Sequence, residues 1–152
     1  MNRLPPSTAD LFEQHICSTL SEVDASCQEL RRWLEKRGLA KQCFAVELVA
    51  REALNNAVLH GNGNDPGKAV HLRLVVGRVW IRCEVTDQGP GFDWRKRRGS
   101  APDANATHGR GLLIYQQYAT RFHFNPRGNQ ITFWIRIETP GERNHCHAPL
   151  FH

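Results

Sequence analysis

Two neighbouring segments in which apolar and polar residues alternate place the strongest constraint on the fold of this chain. Residues 69–76 (AVHLRLVV) and 79–86 (VWIRCEVT) show this alternation, and Gly77-Arg78 joins them. The pattern predicts two antiparallel strands connected by a two-residue turn. Successive side chains of a strand point to opposite faces, so each strand presents one apolar face. We therefore expect a sheet whose apolar face is covered by another layer.

The remaining segments supply helices mainly before this hairpin and strands mainly after it. Apolar residues at helical spacing predict helices over about residues 21–39 and 43–59, with Ser21 as the N-cap of the first and Gly38 at its end. Further predicted elements are a short helix at 111–119 and strands at 14–20, 121–125 and 130–138. This order predicts an α+β fold, a two-layer sandwich with helices packed on one face of a mixed, mainly antiparallel sheet.

Length and composition fit a single globular domain. The chain has 152 residues, of which 40% are hydrophobic and 23% charged, as is ordinary for such domains. We expect the domain to span residues 1–138 and the tail, 139–152, to be disordered. The apolar runs are too short to span a bilayer, and the N-terminus lacks the apolar core of a secretory signal. The five cysteines include no CxxC pair, which is typical of free thiols in a reducing compartment. We therefore expect a cytoplasmic protein that does not bind membranes.

The stretch VELVAREALNNAVLHG, residues 46–61, combines a broad apolar face with an unusual polar row. Projected at about 100° per residue, the row falls within roughly 140° and consists of Glu52, Asn55, Asn56 and His60. Asparagine is a poor helix former, because its side chain competes for backbone hydrogen bonds. One interpretation is a satisfied polar cluster or a tolerant exposed face. The other is a ligand cleft, in which an amide oxygen suits Mg²⁺ and a glutamate activates a nucleophile.

Two further segments contain closely spaced glycines. TDQGPGF, residues 86–92, is either an ordinary turn or a loop that approaches a ligand, because glycine has no Cβ. HGRGLLIY, residues 108–115, places Gly109 and Gly111 around the start of a short helix, where free N–H groups attract anions. Arg110 between them is either a phosphate contact or solvent-exposed. The intervening residues lack periodicity, which is typical of a functional lid over about 92–110.

Basic residues give the chain a formal net charge of +5 and concentrate in WRKRRG, residues 94–99. Such a run can be a solvated loop, a nucleic-acid contact, or a loop that meets phosphate or an acidic partner. Composition favours the solvated loop. The run lacks aromatic interleaving beyond Trp94 and no recognition helix accompanies it, so we expect no direct binding of nucleic acid.

Three of these segments, in this order, resemble the N, G1 and G2 boxes of the GHKL ATP-binding fold. They are EALNNAVLHG (52–61), TDQGPGF (86–92) and HGRGLLI (108–114). That fold is shared by sensor histidine kinases, gyrase B and MutL. Within it, the first segment is most similar to the stand-alone anti-sigma factor serine kinases of the RsbW and SpoIIAB type. The resemblance covers about residues 14–137.

The resemblance implies ATP and Mg²⁺ as cofactors, bound by a helix and two loops. In this interpretation Asn56 coordinates Mg²⁺, and Glu52 is the general base that activates a protein hydroxyl. Asp87 accepts a hydrogen bond from the exocyclic amine of adenine, which selects adenine over guanine.

The glycines of both loops are implied to contact the nucleotide. Gly89 and Gly91 let their loop pass close to the base and ribose, while Gly109 and Gly111 bind phosphates through backbone N–H groups. The implied nucleotide contacts also include Asn55, His60 and Arg110. One departure is Gly128-Asn129-Gln130-Ile131, where related proteins often have a Gly-Thr-Thr-like stretch. We expect Asn129 or Gln130 to supply the polar contact.

The resemblance further implies a partner-switching serine/threonine kinase. It would phosphorylate a STAS-domain anti-sigma-factor antagonist and sequester a sigma factor or another effector. Related proteins are commonly homodimers, so a homodimer is expected. The alternative is an ATP-gated binding module without phosphotransfer activity.

Overall fold

The computed structural model describes residues 10–93 and 109–138. The five strands are β1 (Leu11–Cys17), β2 (Ala69–Val76), β3 (Trp80–Thr86), β4 (Arg121–Phe124) and β5 (Gln130–Arg136). The α-helices are α1 (Leu20–Lys36), α2 (Ala40–Asn56) and α3 (Gly109–Tyr118). A turn of π-helix, Ala57–Gly61, continues α2 and is called the π-turn below.

The strands form one sheet in the order β1-β2-β3-β5-β4. Leu72 of β2 lies opposite Val85 of β3, which lies opposite Ile131 of β5, so apolar positions align across the sheet. The α+β prediction is confirmed. In the described part of the chain every neighbouring pair of strands is antiparallel, so the expectation of a mixed sheet is wrong. Two of the pairs are hairpins, a connection that only antiparallel strands can use.

One face of the sheet is buried beneath the helices, as the alternation predicts. Its buried positions alternate along each central strand and are Val70, Leu72, Leu74, Ile81, Cys83, Val85, Ile131, Phe133 and Ile135. The helices contribute Val23, Leu30, Leu34, Val46, Val49 and Leu54 to the same core. The turn between β2 and β3 spans residues 77–79 and is one residue longer than predicted. Gly77 N–H donates to the Trp80 carbonyl at 2.7 Å.

The start of α1 differs from the prediction. Thr19, rather than Ser21, is the N-cap, and its hydroxyl accepts a hydrogen bond from Glu22 N–H at 3.3 Å. Thr19 is extended whereas Ser21 already lies within the helix, and an N-cap residue needs the non-helical backbone. Because α1 is capped at Thr19, β1 cannot reach its predicted end at residue 20, and it ends at Cys17. Gly38 follows the helix with a φ of +73°, as expected of a glycine that ends a helix.

Charged residues join α1 to α2. Glu47 and Arg51 form the ion pair that their i,i+4 spacing predicts, at 3.4 Å. The pair is not on a free surface, because Glu47 also binds Arg31 and Arg51 also binds Asp24, both on α1. The Glu47 side chain is only 14% exposed. These contacts fix the helix that carries the polar row against its neighbour.

Among the described residues, no helix is both long and apolar enough to cross a membrane. The described cysteines are all free, with Cys17 exposed and Cys27, Cys43 and Cys83 buried. The predicted C-terminal tail, the basic run 94–99 and most of the predicted lid lie outside the described residues.

Candidate functional site

A cavity of about 900 Å³ opens between α2, α3 and the adjoining ends of β3 and β5. Its volume suits a small-molecule or cofactor site. The three segments singled out in the sequence all contribute to its lining, although they are far apart along the chain. The predicted site residues that line it are Asn56, His60, Asp87, Gly91 and Gly111. The structure therefore brings the predicted helix and both glycine loops to one place.

The other predicted site residues lie around this set. Glu52 is half-buried behind Gly111, where an added Cβ would meet the Glu52 Oε1 atom at 2.7 Å. Gly89 is buried beside Asp87. Gly109 and Arg110 belong to the first turn of α3. Asn55 is half-buried on α2 but does not line the cavity that the described residues form, and its role stays a prediction.

Asp87 lies directly after β3, with its carboxylate in a closely packed setting. Its Oδ1 atom accepts a hydrogen bond from Gly89 N–H at 2.8 Å. A Cβ at Gly61 would lie 2.2 Å from the Asp87 carboxylate, so only glycine leaves room there. Burial raises the pKa of Asp87, opposed by the Gly89 N–H and by the positive charge of Arg127. A carboxylate has acceptor capacity beyond one bond, so Asp87 can also accept from a ligand in the cavity.

The glycines of the 86–92 loop allow backbone segments to pack together. An added Cβ at Gly89 would fall 1.8 Å from the Gly61 carbonyl oxygen, and one at Gly91 would fall 1.9 Å from the Arg127 carbonyl oxygen. Gly91 also has a φ of +82°, which side chains disfavour. The close approaches seen here are therefore between parts of the protein, with Gly91 additionally facing the cavity.

Asn62 anchors this loop and was missed by sequence reasoning. It is 3% exposed, and its amide donates to the Ser18 hydroxyl at 2.7 Å and to the Ala69 carbonyl at 3.0 Å. Its side-chain oxygen accepts from Gln88 N–H at 2.8 Å. One buried amide thus joins the end of β1, the start of β2 and the loop next to Asp87. In the sequence it stands in GNGNDPGK, where an asparagine is expected of any turn.

The β4–β5 turn holds the opposite side of the Asp87 loop. Asn129 donates through its side chain to the Asp87 carbonyl at 3.1 Å, and its own carbonyl accepts from Asp87 N–H at 2.9 Å. Gln130 donates to the Thr86 hydroxyl at 2.9 Å. Both Asn129 and Gln130 line the cavity. The residues that depart from the Gly-Thr-Thr-like pattern therefore support the loop that carries Asp87.

The polar row of α2 contacts α3 through Asn56. The Asn56 amide donates to the Tyr115 hydroxyl at 3.2 Å. Burial raises the pKa of Glu52, and a hydrogen bond from Asn56 opposes that shift. An added Cβ at Gly111 would lie 3.1 Å from the Asn56 nitrogen. The first turn of α3 is therefore seated directly on Glu52 and Asn56.

The π-turn changes the helical spacing that was assumed when His60 was placed in the polar row. Asn62 N–H donates to the Ala57 carbonyl five residues earlier, at 2.8 Å, so residues beyond Ala57 no longer advance by about 100° each. His60 nevertheless lines the cavity, and Gly61 faces Asp87. Single π-turns occur frequently at functional sites. Here the extra residue brings Gly61 against the Asp87 carboxylate.

These groups fit an adenine nucleotide with its metal ion. The Asp87 carboxylate suits an exocyclic amine, and the start of α3 suits phosphate because its N–H groups attract anions. Phe92 and Phe124 pack edge to face at 5.0 Å on the cavity wall, offering apolar surface to a flat base. The Asn56 amide and the Glu52 carboxylate lie near the start of α3. Both contain oxygen atoms of the kind that Mg²⁺ accepts as ligands.

The fold and the cavity define an ATP-binding domain of two layers. A family model described as a histidine kinase-like ATPase domain matches residues 16–135 of this chain. The chain therefore belongs to the histidine kinase-like ATPase family, which confirms the GHKL resemblance at the level of the fold. An ATPase domain binds ATP, so the match and the cavity agree on the ligand. A search among curated proteins found no match to the chain.

Proposed function

We propose that this protein is an ATP- and Mg²⁺-dependent protein serine/threonine kinase that acts as an anti-sigma factor in a partner-switching system. Its substrate is a STAS-domain anti-sigma-factor antagonist, and it sequesters a sigma factor or another effector in alternation. One observation carries the proposal. A Cβ added at Gly111, in the first turn of α3, would lie 2.7 Å from the Glu52 Oε1 atom and 3.1 Å from the Asn56 nitrogen, so both side chains lie against that turn at the edge of the cavity.

Each of these groups has a separate role in the proposed phosphoryl transfer. Glu52 accepts the proton of the attacking serine or threonine hydroxyl, and its raised pKa makes it a stronger base than an ordinary glutamate. Asn56 would hold Mg²⁺, and the bound ion would supply positive charge that offsets the phosphate charge. The N–H groups of the first turn of α3 receive the phosphates, and Asp87 holds the adenine amine. Phosphoryl transfer depends mainly on positioning and electrostatic stabilisation, which this small set of groups supplies.

The decisive experiment measures transfer of radiolabelled phosphate from ATP to the cognate antagonist. Glu52→Gln keeps the size of the side chain and removes the base, so transfer is abolished while ATP binding is retained. The matched control is Glu35→Gln at the exposed end of α1, which leaves transfer unchanged. Full transfer by Glu52→Gln would refute the role of Glu52 as the base.

A second candidate function is an ATP-gated binding module without phosphotransfer. It is favoured by the β4–β5 turn, where the Asn129 amide holds the Asp87 loop at the departure from the Gly-Thr-Thr-like pattern. In a kinase, Glu52→Ala abolishes partner switching that depends on phosphorylation. In a binding module, switching by Glu52→Ala equals that of the wild type, and the wild type binds Mg-ATP tightly without transferring phosphate.

We also propose that the protein is a cytoplasmic homodimer. Family resemblance supports the dimer, and the free cysteines among the described residues support a reducing compartment. Analytical ultracentrifugation of the full chain tests the first point, and fractionation of cells tests the second. A monomer at micromolar concentration would contradict the proposed dimer.

A further inference from the structure

Tyr115 occupies an unusual position between the two helices that border the cavity. It lies on α3, is 3% exposed, and packs against Phe122 of β4 with ring centroids 5.5 Å apart. Its hydroxyl accepts a hydrogen bond from the Asn56 amide at 3.2 Å. The same tyrosine lines the cavity. A buried phenol therefore contacts the residue to which the metal ion is assigned.

The hydrogen bond to Tyr115 determines which way the Asn56 amide faces. The Asn56 nitrogen donates to the Tyr115 hydroxyl at 3.2 Å. The two polar atoms of a planar amide point in different directions, so fixing the nitrogen on Tyr115 turns the carbonyl oxygen away from it. That oxygen is the acceptor atom of this side chain and the one that can bind a cation.

We propose that Tyr115 is a positioning residue, whose hydroxyl holds the Asn56 amide with its carbonyl oxygen directed to the metal ion. The inference rests on the proposed binding of ATP with Mg²⁺. It also links two parts of the site, because Tyr115 belongs to the helix whose first turn is proposed to receive the phosphates. Tyr115 then couples the binding of the phosphates at α3 to the orientation of the metal-binding oxygen of Asn56.

Tyr115 acts through Asn56 rather than as a ligand of its own. The buried Tyr115 hydroxyl serves as the hydrogen-bond partner of the Asn56 amide. Without that hydroxyl, the Asn56 amide loses this bond and is free to rotate away from the productive orientation. The loss is therefore expected in metal binding, while the contacts of the base and the phosphates remain.

The test compares Tyr115→Phe with Tyr118→Phe by titrating Mg²⁺ into protein and a fluorescent ATP analogue. These are the two tyrosines of the chain, and Tyr118 packs against Phe44, away from Asn56. Losing one hydrogen bond predicts that Tyr115→Phe needs roughly two- to tenfold more Mg²⁺ for half-maximal binding. Its nucleotide affinity in EDTA equals that of the wild type, and Tyr118→Phe matches the wild type throughout.

Two results for the variant would overturn the inference alone. The first is an unchanged Mg²⁺ requirement in a folded Tyr115→Phe protein, with folding checked by circular dichroism. The second is an equal loss of affinity with and without Mg²⁺, since that would indicate a packing defect. A wild type that shows no Mg²⁺-dependent ATP binding would overturn the proposed function as well. A wild type that binds but transfers no phosphate would refute only the kinase proposal.

Discussion

Asp87→Asn tests the adenine-binding role, because the change removes the charge and keeps the shape. Gly89 N–H donates to the Asp87 Oδ1 atom at 2.8 Å. The carbonyl oxygen of an asparagine takes over that bond, which turns its NH₂ group toward the other side. A donor then faces the exocyclic amine of adenine, which is itself a donor. The adenine amine of ATP therefore loses its hydrogen-bond acceptor and faces a second donor, which is unfavourable.

The size of the effect follows from the hydrogen bond that is lost. A hydrogen bond to a charged group contributes about 1.5–3 kcal/mol, so ATP binding weakens by roughly ten- to hundredfold. Guanine presents a carbonyl oxygen where adenine presents its amine. The NH₂ group of the asparagine can donate to that oxygen, so the preference for ATP over GTP falls in the same variant.

Isothermal titration calorimetry with ATP and GTP, both in Mg²⁺, measures these changes. Asp65→Asn is the matched control, because Asp65 accepts from Gly67 N–H at 2.9 Å in the same local geometry and does not line the cavity. An Asp87→Asn protein that keeps both the wild-type affinity for ATP and the wild-type ratio of ATP to GTP affinity would refute the adenine contact of Asp87.

The fold should survive the Asp87→Asn change. Burial raises the pKa of Asp87 above its ordinary 3.8 in the folded state, so the folded protein binds that proton more tightly than the unfolded chain. The free energy of unfolding therefore falls as pH rises from the ordinary pKa through the raised pKa of Asp87. The full decrease is present at neutral pH, and it is the cost of burying the ionised carboxylate. Asparagine removes this cost, so the free energy of unfolding at neutral pH is expected to stay equal or to rise.

Three further predictions concern the anchors of the site and its base. Asn62→Ala is expected to lower the free energy of unfolding by about 1–3 kcal/mol in urea titrations, because Gln88 N–H loses its acceptor; a change near zero would contradict its role as an anchor. Gly91→Ala should cost more than about 1 kcal/mol, given its positive φ and the Arg127 carbonyl, and thermal unfolding at the wild-type midpoint would count against this. Phosphate transfer should decline on acidification through the raised pKa of Glu52, so the acid limb of the kcat/KM profile, which reports the free enzyme, lies above 4.5, the ordinary glutamate value; a limb at or below 4.5 would exclude Glu52 as the base.

The layers of the fold could be predicted because periodicity is a local property of the sequence. Alternation over residues 69–86 indicates strands regardless of the partners they find. The choice between Thr19 and Ser21 as N-cap is different, since both have a hydroxyl. It depends on where β1 leaves the sheet, which the pairing of Cys17 with Ala69 determines.

The site was predictable where a residue breaks a local rule or matches a family motif. Asn56 follows another asparagine within the predicted helix, which is unusual, whereas Asp87 lies in an ordinary turn after a strand and was indicated by the resemblance to the GHKL boxes. Asn62 and Tyr115 break no rule, because asparagine is ordinary in a turn and tyrosine is ordinary on a core-facing helix. Their importance comes from partners distant in the chain, namely Ser18 and Gln88 for the first and Asn56 for the second.

The π-turn makes chain length, as well as side-chain identity, a determinant of the site. Deleting one residue between Ala57 and Gly61 would close this wide turn to α-helical spacing and shift the residues that lie on it. The close fit of Gly61 against the Asp87 carboxylate would then be lost, although every side chain named in the site would still be present. A homologue that lacks this one residue can therefore keep the site residues and lose the geometry. In a sequence alignment, a one-residue gap at this turn would therefore indicate a relative that does not share the geometry of the site.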